Sequence, residues 1–172
     1  PHDTKWGEYC HPNCDCGRFV EIGNSVFMQY LKKEDGSFGL LPKANVDFGG
    51  GLERFAMAVK GTNDVFLIDT MQTVIVELAA ASSKNYNDPQ YQKSFRVVAD
   101  HIRGATFMIG DGVLPSNTDQ GYFVRRLIRR AIRHLDVLGV GEGTLITASE
   151  RVINAYRDQY PELDASRILI QQ

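Results

Sequence analysis

Apolar residues in the first third of the chain fall in short β-branched and aromatic runs, and in the remainder they fall in helical stripes. Over residues 19–30, Phe19, Val20, Ile22, Val26, Phe27 and Tyr30 are interleaved with Glu21 and Asn24, a pattern that predicts a strand. An Asp35-Gly36 turn signal follows, then Leu40 and Leu41 ahead of Pro42, so a β-hairpin is expected. A second strand should enter near Asn45, Val46 and Asp47 and end in Gly49, Gly50 and Gly51. Beyond them Leu52, Phe55, Ala56 and Val59 repeat at helical spacing, with Gly61 placed to stop the helix.

A second helix is predicted over residues 70–83, with Val74, Ile75, Leu78 and Ala79 inward, before a polar loop at 84–89. Further helices are expected over 95–109, 121–138 and 145–159, and a last one opens at Pro161 as a first-turn residue. Within 121–138, Val124, Ile128, Ala131, Leu135 and Leu138 form one apolar stripe, while Arg125, Arg129 and Arg133 share another face. The pattern therefore predicts an α+β chain: an antiparallel β segment over residues 1–69, followed by an all-helical part over 70–172.

Composition narrows the class. A chain of 172 residues with 43% apolar content can bury a core. No apolar run approaches the roughly 20 residues of a bilayer span, and the stretch around His2, Asp3 and Lys5 lacks a signal-type apolar core, so a cytosolic protein without a membrane partner is expected. The net charge of −2 conceals Arg125, Arg126, Arg129, Arg130 and Arg133, which crowd one short segment. Such a cluster is either a solvated helix face or a phosphate-binding surface, because neutralising a nucleic-acid backbone needs several cations together. Cys10, Cys14 and Cys16, with His2 and His11 nearby, offer soft ligands for a tetrahedral zinc ion; the alternative is reduced thiols in a polar loop.

Three successive glycines cost about 1 kcal/mol each in chain entropy, and they let a flat or charged ligand lie against bare backbone. The helix beginning at Leu52 adds free N–H groups, and Arg54 adds a planar cation. A flexible connection with a surface arginine is the plainer alternative. The string Gly49-Gly50-Gly51-Leu52-Glu53-Arg54, a Gly-x-Gly-x-x-Arg, resembles the third signature motif of class II aminoacyl-tRNA synthetases. Val46-Asp47 before it and Leu52-Glu53-Arg54 within it look like the alanyl-tRNA synthetase family. Four further segments are similar to that family: Glu21-Ile22-Gly23-Asn24-Ser25-Val26-Phe27-Met28-Gln29, Arg96-Val97-Val98-Ala99-Asp100-His101-Ile102-Arg103, Asp111-Gly112-Val113-Leu114-Pro115-Ser116-Asn117, and the arginine helix opened by Gly121-Tyr122. The chain departs from the pattern at Gly23, where the family commonly has tryptophan, and at Phe48 and Gly50, where it usually reads Asp-Thr-Gly-Met-Gly.

The resemblance implies the end of a catalytic domain followed by the start of a tRNA-reading helical domain, from an alanine–tRNA ligase that activates alanine with ATP and magnesium. It implies Asp47 and Arg54 as catalytic residues, Asp47 receiving the α-ammonium of alanine and Arg54 contacting ATP. Glu21, Gly49 and Gly51 join Arg54 around the nucleotide, and Asn24, Val26 and Gly49 join Asp47 around alanine. Asp100, Arg103, Asn117, Arg125, Arg126, Arg129, Arg130 and Arg133 are implied as tRNA contacts, with Asn117 on the G·U pair of the acceptor stem. The implied partners are the tRNA(Ala) acceptor stem, alanine and ATP, without DNA. The family's other two signature motifs are expected before Pro1, so the chain by itself should be a weak catalyst. A stem-binding module without adenylating activity, and a purely structural domain, are the other readings.

Overall fold

The computed structural model describes residues 2–172, and its contacts divide the chain into two compact units that meet in sequence at Val65 and Phe66. The sequence pattern put the boundary near Asp69.

In the first unit, β1 (Gly23–Lys32) pairs antiparallel with β2 (Phe38–Gly50), and α1 (Leu52–Val59) follows. Gly36 supplies the left-handed residue of the turn, at φ 82°, and the Asp35 carboxylate accepts from both the backbone N–H and the hydroxyl of Ser37. The ladder runs from Gly23 opposite Gly50 to Met28 opposite Asn45, then resumes at Tyr30 opposite Leu40. Gln29 alone is thus opposed by residues 41–44, and Pro42, which has no N–H to give, lies in this bulge. The second strand therefore starts well ahead of the expected Asn45, because the bulge absorbs the proline.

Two other boundaries differ from expectation. The first strand begins at Gly23 rather than residue 19. The Ile22 carbonyl accepts from the Gly51 N–H, and the Glu21 carbonyl accepts from the Arg54 guanidinium, so this backbone is tied to the start of α1 and not to a ladder. Gly49 and Gly50 are strand residues of β2, not a turn, and Gly51 is the N-cap of α1 in an extended conformation. The hairpin exposes apolar side chains such as Phe27, Tyr30, Phe38, Leu40 and Val46.

The second unit contains α2 (Asp69–Ser82), α3 (Pro89–Gly110), α4 (Asp119–Leu138), α5 (Thr144–Tyr156), α6 (Pro161–Ala165) and α7 (Arg167–Ile170). Helix α3 opens at Pro89, ahead of the expected residue 95, because Asp88 caps it by accepting from the Gln90 N–H and Pro89 occupies the first helical position. The core joins Val74, Ile75 and Leu78 of α2, Phe95, Val98 and Ile102 of α3, Leu135 and Leu138 of α4, and Val152 of α5. Phe95 is fully buried, and a side chain of that size contributes about 1.5–3 kcal/mol by leaving water. Val124, Ala131, Leu135 and Leu138 are buried as the apolar stripe of α4 predicts, and Gly139, at φ 73°, closes that helix. Helix α5 ends at Tyr156, and Ser166 separates α6 from α7. Among the described residues no helix is long and apolar enough to cross a membrane.

Candidate active-site face and nucleic-acid surface

Strand register decides which side chains of the hairpin share a face. Asn24 lies directly opposite Gly49, and Val26 directly opposite Asp47. Paired residues project to the same side, as do residues two apart along a strand. Asn24, Val26, Asp47 and Gly49 therefore form one contiguous patch, which is the whole set expected around alanine. The patch is exposed, and the Asp47 carboxylate accepts from the Phe48 N–H at 2.9 Å. A Cβ on Gly49 would meet nothing within 4 Å, so the space over that backbone is open.

The opposite face carries Gly23, Ser25, Phe48 and Gly50. A Cβ on Gly23 would come within 2.9 Å of the Phe48 ring, so the aromatic side chain occupies the space that any larger residue at position 23 would need. Two of the three departures from the family pattern are thus physically coupled, small at 23 and large at 48. Gly50 serves packing as well, since its Cβ would lie 2.4 Å from the Phe55 ring. Of the three glycines, Gly49 alone opens onto free space; a Cβ on Gly51 would touch the Arg54 side chain at 3.2 Å.

Arg54 folds back over this end of the hairpin. Its Nη1 donates to the Glu21 carbonyl at 2.7 Å and lies 3.9 Å from the Glu21 carboxylate, with both side chains more than half exposed. An accessible hard-oxygen donor and a planar cation therefore stand side by side at the Gly51 end of the hairpin. That donor chemistry suits a phosphate-bound magnesium ion and the phosphates themselves.

In the helical unit, Arg126, Arg129, Arg130 and Arg133 are exposed on one side of α4, and with Tyr122 and Arg125 they line a shallow concavity. None of these four has an acidic partner among the described residues, so the row stays unneutralised; Arg126 stacks on Phe123 at 5.4 Å. Asn117 is exposed in the loop before α4, and its Oδ1 accepts from Arg125. That loop is pressed onto the helix at Gly121, where a Cβ would fall 2.5 Å from the Leu114 carbonyl. On α3, Asp100 accepts from the His101 ring at 2.9 Å, and Arg103 donates to the Tyr156 hydroxyl at 3.3 Å.

His134, behind the arginine row, pairs with the Ser94 hydroxyl at 2.9 Å. Its pKa lies below the ordinary histidine value, first because of burial, then because of the charges of Arg130, Lys93 and His101. A depressed folded-state pKa means that unfolding takes up a proton, so this contribution is complete above about pH 6.5 and is lost as pH falls below it. The urea midpoint of the helical unit should therefore drop on acidification from neutral pH, and His134→Gln should flatten that slope. Identical slopes for both chains would exclude His134 as the source.

Near the start of the first unit, His2, Cys10, Cys14 and Cys16 bring one ligand atom each to within 4.8 Å of one another. The Cys16 thiol is pulled down to about 6, chiefly by its hydrogen bond with His2, whose own pKa is raised by the same contact. The cluster is chemically able to take a metal ion. His11, the other histidine considered from sequence, is outside it.

Comparison with known proteins gives the family. Residues 2–172 match the family described as tRNA synthetases class II (A). The chain belongs to this family, in its alanyl branch. It is 45% identical over 155 residues to the alanine–tRNA ligase of Alkaliphilus metalliredigens, covering 90% of this chain and 18% of that protein. The alanine–tRNA ligase of Parvibaculum lavamentivorans is 43% identical over 159 residues, covering 92% of this chain and 18% of the relative. The chain thus spans about a fifth of the length of these curated relatives. Within the family segment, sequence reasoning missed the Phe48 partner of Gly23, which only the fold brings together, and it left open which of His2 and His11 joins the cysteines. Residue type put both histidines forward, and the contact that selects His2 is set by the fold.

Proposed function

We propose that this chain carries the alanine-seating face and the acceptor-stem-reading surface of an alanine–tRNA ligase. The observation that carries this reading is the convergence of Asn24, Val26, Asp47 and Gly49 on one exposed side of the hairpin. Asp47 supplies a carboxylate for the α-ammonium of alanine, Val26 a short apolar wall for its methyl group, and Asn24 a polar edge. Held there, the amino acid presents its carboxylate to the α-phosphorus of ATP; the new P–O bond forms as the bond to pyrophosphate breaks. No protein nucleophile is needed, because orientation and charge complementarity do the catalytic work. Arg54 would bear on the nucleotide, and Glu21 would hold magnesium, which supplies charge neutralisation on the phosphates.

In the helical unit, Asn117 is suited to read a guanine amino group in the shallow groove of A-form RNA. Its Oδ1 has two lone pairs, and Arg125 uses one. The arginine row would hold phosphates and set register.

The chain should bind an acceptor stem with a G·U pair more tightly than the same stem with G·C. Asn117→Ala should erase that preference, a loss of about 0.5–1.5 kcal/mol for one hydrogen bond. Arg129→Ala should weaken both stems alike and lower the salt slope by about one unit. Equal affinity of the unaltered chain for G·U and G·C stems would count against Asn117 as the reader. A stem-binding module without adenylation is the second reading, favoured by the independent core and unneutralised arginines of the helical unit. Alanine-dependent exchange of pyrophosphate into ATP separates the two: exchange abolished by Asp47→Ala supports ligase chemistry, and stem binding with no exchange supports the module.

A further inference from the structure

We infer that the segment around residues 2–16 is a structural zinc site of the Cys3His type, with Cys10, Cys14, Cys16 and the Nδ1 of His2 as its four ligands. This inference is independent of the ligase reading. Two observations carry it. The first is spacing: Cys10 Sγ lies 3.7 Å from Cys16 Sγ, and Cys14 Sγ lies 3.8 Å from His2 Nδ1. Tetrahedral zinc with bonds of about 2.3 Å to sulfur places two sulfurs about 3.8 Å apart, whereas a disulfide needs about 2.05 Å. Two donor pairs are therefore at the spacing found around one ion, all four donor atoms lie within 4.8 Å of one another, and the three thiols are unbonded to each other.

The second observation concerns the histidine. Its other ring nitrogen, Nε2, lies 2.8 Å from the Gly7 carbonyl. A carbonyl only accepts, so Nε2 carries a proton, and Nδ1 is the nitrogen that faces the sulfurs and would bind the ion in its deprotonated form. Metal-bound histidines are commonly oriented by such a contact on the far side of the ring. Cys14 is only 6% exposed in a stretch whose neighbours are largely open to solvent, so no apolar core accounts for its burial. A cross-link through a metal does account for it, as in small domains that fold around their ion. On binding, the thiol protons leave to solvent and the imidazole binds neutral. The cross-link would pin the chain a few residues before Glu21, and so fix the approach to the hairpin.

The test uses the whole 172-residue chain, reduced, stripped with chelator and reloaded with zinc chloride. One zinc per chain should survive dialysis, and X-ray absorption at the zinc edge should show three sulfurs and one nitrogen. His2→Ala should weaken zinc binding by at least about 10-fold, since even loss of an outer-shell partner costs that much, and His11→Ala should leave it unchanged. Zinc should also slow proteolytic cleavage within residues 2–16. Substoichiometric zinc, a shell of oxygen and nitrogen only, or His2→Ala binding as tightly as the unaltered chain would overturn the assignment. The absorption measurement is made on the unaltered chain, so it stands even where a variant misfolds.

Discussion

Replacing Arg126, Arg129, Arg130 and Arg133 together with glutamine is expected to lower the slope of log affinity against log salt for acceptor-stem RNA by about three to four units. The expectation follows from the proposed stem-reading surface and from the geometry of α4, whose exposed side presents these four cations without acidic partners among the described residues. Each phosphate neutralised releases condensed counterions, so each lost contact removes roughly one unit of slope. Affinity at low salt should fall steeply, while the residual preference for G·U over G·C persists, because Asn117 is untouched. The glutamines stay polar and keep helix propensity, and the arginines lie away from the Val124, Ala131, Leu135 stripe, so thermal stability should hardly change. Filter binding across a salt series checks this. An unaltered slope would mean that the row is a solvated face and that RNA, if bound, contacts another surface.

Gly121→Ala should cost about 1–3 kcal/mol, as overpacking of a filled site does. The added methyl would meet the Ser116 Cβ at 2.8 Å as well as its hydroxyl, and the Leu114 carbonyl at 2.5 Å, so rotating the serine hydroxyl does not relieve it and the backbone must move. The displaced segment carries Asn117, so G·U discrimination should fall along with stability. Gly104→Ala on the neighbouring α3 is the matched control. Its Cβ would sit at an ordinary 3.5 Å from Leu127, and a glycine within a helix is worth about 0.5–1 kcal/mol less than alanine, so that variant should gain stability. Urea unfolding of both variants gives the comparison. Equal effects of the two substitutions would show that loop packing at Gly121 is not what decides.

What the sequence made legible was whatever local chemistry determines. The stripe of α4, the Asp35-Gly36 turn and the Pro161 helix start all follow from residue type and spacing, and the structure has them. The alpha-helical second half and antiparallel first half likewise follow from period. The start of α3 was misplaced because Asp88 and Pro89 read as the end of a loop, whereas a cap and a first-turn proline begin a helix. Non-local facts were out of reach. Pattern alone puts Asn24 and Asp47 on strands, but the bulge at Gln29 sets which pairs face each other. The glycine run suggested a ligand against bare backbone; in the structure Gly50 makes room for Phe55, and the open position is Gly49. Similarly, His11 was nearer to the cysteines along the chain, yet His2 reaches them in space.

The bulge has a mechanical consequence. Because one residue of β1 spans residues 41–44 of β2, the tip of the hairpin and its base are two separately clamped ladders. The base is fastened at its own end, by the Ile22 carbonyl to Gly51 and by Arg54 to Glu21. A residue gained or lost between Tyr30 and Leu40 can be taken up in that slack, and so need not invert the side of the ribbon on which Asp47 stands.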